Sequence, residues 1–176
     1  ALLSLCLALL LLVSPAAAAR GSDSYDGNIY ALYAGNGSLV PPVTTLADTL
    51  ESGRTGVIVF YLDDSADCKR FAPGASELQR LWTRSIDLMP LNIDPLQGRE
   101  ANGPSDPASY WNGTIPQVVV IAPDGRVVLD RDGQVPLQMI NTAISEATGL
   151  PAPDERSINP GGTFNEVNIE VEVNPG

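Results

Sequence analysis

The sequence predicts a mixed α/β domain, a central sheet with parallel and antiparallel pairing flanked by helices. Three observations predict it. Val57-Ile58-Val59-Phe60-Tyr61-Leu62 is an unbroken apolar run of β-branched and aromatic residues. Its length and lack of alternation suit a central strand covered on both faces. Phe71, Ala75, Leu78, Leu81 and Trp82 come next at spacings of 4, 3, 3 and 1, one face of a 3.6-residue helix. Pro123-Asp124-Gly125 then separates two apolar runs, as a tight hairpin turn does. The full order β-α-β-α-β-β-α stacks helices on a sheet with an antiparallel pair at its end.

Residues 1–19 are a different material from the rest. Ala1 to Val13 is almost unbroken Leu and Ala, followed by Ser14-Pro15 and Ala16 to Ala19. An apolar core, a helix-breaking proline and small residues fitting Ala-x-Ala describe a signal peptide cut between Ala19 and Arg20. The competing reading is an N-terminal membrane anchor, although the strictly apolar stretch of about 13 residues falls short of the roughly 20 that cross a bilayer. On either reading the domain leaves the cytoplasm.

Residues 20–44 read as an N-terminal extension. Gly21 to Gly27 is polar and turn-rich. Asn28 to Tyr33 alternates Ile29, Ala31 and Tyr33 against Tyr30 and Leu32, which predicts a first strand. Gly35 to Ser38 and Pro41-Pro42 are turn chemistry.

The main domain is expected over 45–150. Thr45 to Ser52 predicts a short helix closed by Gly53, with Leu46 and Leu50 on one face. After the central strand, Asp63-Asp64-Ser65 is a cluster of helix-starting residues, and the helix runs to about Arg84 with Pro73 expected to kink it. Ile86 to Ile93 is the next strand. Asp94 to Gly113, rich in Gly, Pro, Asn and Ser, reads as an insertion loop with Tyr110 and Trp111 packed at its end. Gln117 to Ile121 and Arg126 to Leu129 form the hairpin. Leu137 to Thr148 predicts a final helix, with Leu137, Ile140 and Ile144 inward and Gly149 as its stop. The tail, 151–176, is Pro-rich and ends in the alternating run Val167, Ile169, Val171, Val173. It is expected to be largely disordered, or an added edge strand at best.

Composition narrows the chemistry. The chain carries 21 Asp and Glu against 10 Lys and Arg, a net charge of −11 at pH 7, and no His. That sign repels phosphate backbones and anionic lipid surfaces, so no nucleic acid is expected as a partner. Without His, and with one cysteine in the folded region, a metal site would rest on carboxylates alone, and neither metal nor cofactor is expected. Of the two cysteines, Cys6 lies in the apolar leader. Once that leader is removed Cys68 is alone, and an internal disulfide cannot form.

Val57 to Pro73, VIVFYLDDSADCKRFAP, is similar to the active-site stretch of thioredoxins: a buried strand, two linking residues, Cys-x-x-Cys, then Lys and Ala-Pro. Leu91-Asn92-Ile93-Asp94 resembles the family's third strand, Thr114-Ile115-Pro116 its Ile-Pro with a cis proline, and Pro123-Asp124-Gly125 its hairpin turn. The likeness covers about Thr45 to Gly149 and implies a thioredoxin-like fold. Within that superfamily, residues 25–42 and 60–69 resemble the cyanobacterial thioredoxin-like factors for photosystem I accumulation in thylakoid membranes.

The departures from the family bear on function. Ser65 stands where the attacking cysteine would be, Asp64 where a tryptophan precedes it, and Val59 where the strand carries a buried acid. Cys68 lies one turn deeper than that helix N-terminus, and Asp63, Asp64 and Asp67 surround it in sequence. Negative neighbours raise a thiol's pKa, with Lys69 and Arg70 opposing them. Cys68 is thus read as a small core residue with a protonated, slow thiol, or else as the catalytic group of a monothiol oxidoreductase or peroxidase-like protein. Ser65 is read as a helix N-cap, since no His is present to activate it as a nucleophile.

The resemblance implies a non-catalytic factor that assists photosystem I accumulation and has an extended client segment as its partner. Its groove would be lined by Asp63, Asp64, Asp67, Tyr110, Trp111, Ile115 and Pro116. The client would be a photosystem I subunit or assembly intermediate, with membrane association through residues 1–19. The expected location is the thylakoid lumen or membrane, alternatively the periplasm.

Overall fold

The computed structural model describes residues 27–158. Its sheet is built around β1, Thr55–Tyr61, every residue of which is buried. Apolar side chains on both faces leave such a strand no exposed side, so it takes a neighbour on each edge and a layer above and below. Strand β2, Ile86–Asn92, pairs with it in parallel, from Thr55 opposite Ile86 to Tyr61 opposite Asn92. Strand β3, Gln117–Ile121, pairs antiparallel on the other edge, with Phe60 opposite Gln117. Strand β4, Val127–Asp132, completes the hairpin, and the order is β2-β1-β3-β4.

Alternation along β1 divides the core. Val57, Val59 and Tyr61 face the larger cluster, with Phe71, Ala75, Leu78 and Trp82 of helix α3, Ala66–Trp82. The same cluster takes in Ile140 and Ile144 of helix α4, Leu137–Thr148. Ile58 and Phe60 face the opposite side, with Leu46, Met89, Val119 and Ile121. Leu46 belongs to helix α2, Leu46–Glu51, which Thr45 caps by accepting the Asp48 N–H. This helix lies close on the sheet because Gly56 leaves room: a Cβ there would sit 3.1 Å from Met89 Cε and 3.4 Å from Leu46 Cδ1.

Helix α3 runs through Pro73 as one α-helical span. Its far end is tied to α4 by a buried bond, the Trp82 indole N–H donating to Asn141 Oδ1 at 2.7 Å.

One element differs in kind from its expectation. Residues 28–33 do not form a first strand; Ile29–Ala34 is a helix, α1. Asn28 caps it, its Oδ1 accepting from the backbone N–H of Tyr30 at 2.9 Å, and Gly35 closes it in the left-handed region at φ 60°. Ile29, Tyr30 and Ala34 are buried while Ala31 and Leu32 are exposed, a helical repeat rather than alternation. Over so short a segment the two periods share most positions, and tertiary packing against α3 decides between them. Asn36 fixes the turn after α1: its buried Nδ2 donates to Ser76 Oγ at 3.1 Å and Gln79 Oε1 at 2.7 Å on α3.

The first part of the tail folds back on the domain. Arg80, held by both oxygens of Glu77, donates from Nη2 to the Ser157 carbonyl at 2.5 Å, and Ile158 packs against the larger core. The alternating run 167–173 and the predicted leader 1–19 lie outside the described residues.

Candidate functional site

The position of Ser65, expected to stand where the attacking cysteine would be, is set by the start of α3. Ser65 has extended backbone, φ −77° and ψ 123°, and its hydroxyl accepts the Cys68 N–H at 3.3 Å. It is a helix N-cap, so its oxygen already holds one of the four donors a helix start leaves open. Cys68, one turn in, is a free thiol exposed by only 1%.

Burial pushes the Cys68 thiol up from its ordinary value, more than any other influence. Hydrogen bonds with Ser65 and with the backbone of Leu62 pull partly the other way, and the charges of Asp67 and Asp63 add smaller upward pushes. The direction is the one the acidic neighbours predict, but the main cause is desolvation. A buried thiol held protonated is a poor nucleophile.

Helix α1 contributes to that burial. Tyr30 packs edge-on against Tyr61, ring centroids 5.0 Å apart, in the cluster that contains Cys68. Burial raises the Tyr30 phenol well above its ordinary pKa, with Tyr61, Cys68 and Asp63 adding to the push. Lys69, next to Cys68, is fully buried, and its Nζ lies 5.8 Å from the centre of the Tyr33 ring on α1.

The three aspartates do not share one role. Asp63 works inside the protein: Oδ1 accepts the Ile29 N–H at 3.0 Å, and Oδ2 accepts from Asn92 Nδ2 at 3.4 Å. Asp67 pairs with Arg70, and its carbonyl accepts from Gln134 Nε2 at 2.8 Å. Asp64 is exposed.

The Ile115–Pro116 bond is cis, as the resemblance implies; a second cis bond, Val40–Pro41, lies in the turn that Pro41-Pro42 predicts. Pairing of Phe60 with Gln117 sets Pro116 beside the end of β1, from which the chain enters the Asp63-Asp64-Ser65 turn. The Pro116 carbonyl accepts the Gly133 N–H at 2.7 Å. Gly133 and Gln134 therefore bridge the cis-proline turn and the first turn of α3, a link that sequence spacing could not reveal because it joins residues far apart in the chain.

Tyr110 and Trp111 sit elsewhere. Trp111 packs against Phe60, ring centroids 5.5 Å apart, and both aromatics border the smaller cluster, on the face of the sheet opposite Cys68. The buried Gln117 fixes them: Nε2 donates to the Tyr110 carbonyl and to Asp130 Oδ1, each at 2.7 Å, and Oε1 accepts the Asn112 N–H at 3.1 Å. Of the residues expected to line one groove, the structure brings Asp64, Asp67, Ile115 and Pro116 to one end of the sheet. Asp63 is engaged with α1, and the two aromatics are turned to the other face.

No family model matches the chain. It is 33% identical over 156 residues to the thylakoid membrane protein slr1796 of Synechocystis sp., an alignment covering 89% of this chain and 78% of that protein. It is 26% identical over 100 residues to the thiol:disulfide interchange protein TxlA homolog of Synechocystis sp., covering 57% of this chain and 53% of that protein. The mixed four-stranded sheet with flanking helices is accordingly a thioredoxin-like fold.

Proposed function

The chain belongs to the family of the thylakoid membrane protein slr1796, and from that premise we propose that it is a non-catalytic thioredoxin-fold factor that acts at the thylakoid membrane and assists photosystem I accumulation. One observation carries the non-catalytic part. The attacking position holds Ser65, committed as a helix cap, and the remaining thiol is buried and held protonated. The location is supported by the relative's name, and the photosystem I part by the likeness of residues 25–42 and 60–69. The extended client segment sits at the end of the sheet that carries exposed Asp64 and the cis Ile115–Pro116 bond. An acidic rim there suits a basic or neutral segment.

The test is complementation. In Synechocystis lacking its own relative, this chain and its Cys68→Ala variant are expected to restore photosystem I to the same level, whereas Asp64→Lys restores less. A Cys68→Ala variant that fails while folding normally overturns the reading. It would favour the second one, a monothiol redox protein, for which the likeness to a thiol:disulfide interchange protein speaks.

A further inference from the structure

Strand β4 pairs on one side only, with β3, among the described residues. An open strand edge is a template for another strand. One bond tells which of its backbone groups are open. The Gly133 N–H donates to the Pro116 carbonyl at 2.7 Å, one step beyond the pair Gln117–Asp132. Bonded and non-bonded pairs alternate along an antiparallel ladder. Val118–Arg131 and Val120–Leu129 are therefore bonded pairs, and Asp130 and Asp132 turn their N–H and C=O to the open side. The exposed Arg131 agrees with this, since its Nη1 donates to the Asp130 carbonyl at 2.8 Å.

The two faces of that edge differ. Leu129 lies opposite Val120 and so on the α4 side, where Val128, Leu129, Pro136, Met139 and Ala143 line an apolar hollow of about 530 Å³. Met139 stands 45% exposed at its rim. Asp130 and Asp132 lie opposite Val119 and Gln117, on the other face, and both are exposed. We propose that β4 receives an extended segment of a partner protein in which basic and apolar residues alternate. Basic side chains directly opposite Asp130 and Asp132 meet their carboxylates, and the apolar residues between them fall over the hollow. A second copy of this chain does not fit. A two-fold axis through Asp130, Arg131 or Asp132 sets an acid against an acid across the edge. The net charge of −11 draws a basic partner at longer range as well. This surface is additional to the Asp64 end of the sheet.

Hydrogen exchange on the full chain, with and without a short capped peptide of alternating Lys and Val, tests this. At a fixed excess of peptide the Asp130 and Asp132 amides are expected to exchange about tenfold more slowly, with β1 amides unchanged. The same peptide with Glu for Lys should leave them unchanged, and Asp132→Lys and Met139→Glu should each lose most of the slowing. Absence of slowing, equal slowing by both peptides, or slowing undiminished in either variant overturns the proposal. So does slow exchange without peptide. Growing with protein concentration, it assigns the edge to a second copy; independent of concentration, it assigns the edge to another part of this chain.

Discussion

Asp63 accepts the backbone N–H of Ile29 at 3.0 Å, across 34 positions of sequence. The bond ties the start of α1 to the turn that leads from the central strand into the Ser65–Cys68 helix. A charge-assisted bond to a helix-start donor is among the stronger single contacts available to a surface carboxylate. It makes Asp63 part of the cover over Cys68.

Asp63→Ala is therefore expected to destabilise the protein by about 1 to 3 kcal/mol in urea unfolding and to open α1 locally. Each loss of about 1.4 kcal/mol in local anchoring raises the open population, and with it the rate of Cys68 labelling by a thiol reagent, about tenfold. Asp63→Asn, which keeps an acceptor, is expected to fall between. Labelling unchanged in Asp63→Ala would show that α1 does not guard the thiol.

The cap at Ser65 should behave as a cap. Ser65→Ala is expected to cost about 1 kcal/mol, and Ser65→Asp to restore most of it. Removing the hydroxyl also removes a bond that lowers the Cys68 pKa, so the thiol should titrate still higher in Ser65→Ala. Thiolate absorbance against pH measures this, and a downward shift contradicts the assignment.

Stability should fall at alkaline pH, and burial sets the sign. Cys68 is raised above 9.0, so above that pH the unfolded chain loses its proton first and the folded state binds more protons. Stability is then complete below about pH 9 and declines as pH climbs toward the folded value. Tyr30, raised above 10.0, adds a decline of the same sign at higher pH. Urea midpoints from pH 7 to 11 are expected to drop less steeply in Cys68→Ala and less again with Tyr30→Phe added; parallel curves refute it.

Acid acts on a different place. Arg99 clamps both oxygens of Asp106, at 2.6 and 2.7 Å, and the N–H groups of Asn102 and Ala108 add to the clamp. The Arg99 contact, foremost, holds the Asp106 carboxyl well below its ordinary 3.8. A lowered folded pKa means this contribution is present above about 3.8 and is lost as pH falls toward the folded value. The insertion 94–113 should resist proteolysis at neutral pH in wild type and be cut faster in Asp106→Asn. Equal cutting would remove Asp106 as the clasp of the loop.

Gln117 should matter more than its place at the end of a strand suggests. Gln117→Leu leaves the Tyr110 carbonyl, the Asn112 N–H and Asp130 without their buried partner, at an expected cost of about 2 to 4 kcal/mol. Trp111 would loosen from Phe60, so a red shift in its emission should accompany the loss. Trp82 stays buried and serves as the internal reference.

The contrast between what can and cannot be read from sequence is physical. The run 57–62, the apolar stripe of α3 and the limits of α4 are legible because each carries a strong local signal: an unbroken β-branched run, a helical repeat, and a closing Gly149. The helix at 29–34 is hidden because the segment is too short to declare its own repeat, so packing against α3 decides it while Asn28 and Gly35 cap it. A serine at position 65 is plain in the letters, whereas the work of Asp63 is not. Its partner is a backbone amide, a group that every residue but proline carries. Sequence brings Trp111 near the right strand but cannot say on which side of it, since an irregular loop has no parity to count.

The lid of α1 over Cys68 bears on upkeep. An exposed catalytic thiol is spent with each turnover and must be regenerated by an electron donor, and it is lost outright if oxygen species reach it first. Cys68 lies instead in one buried cluster with Tyr30, and the Ser65 hydroxyl caps the helix that carries it. Oxidants meet this sulfur only when α1 opens, so its lifetime as a thiol is set by the stability of that cover.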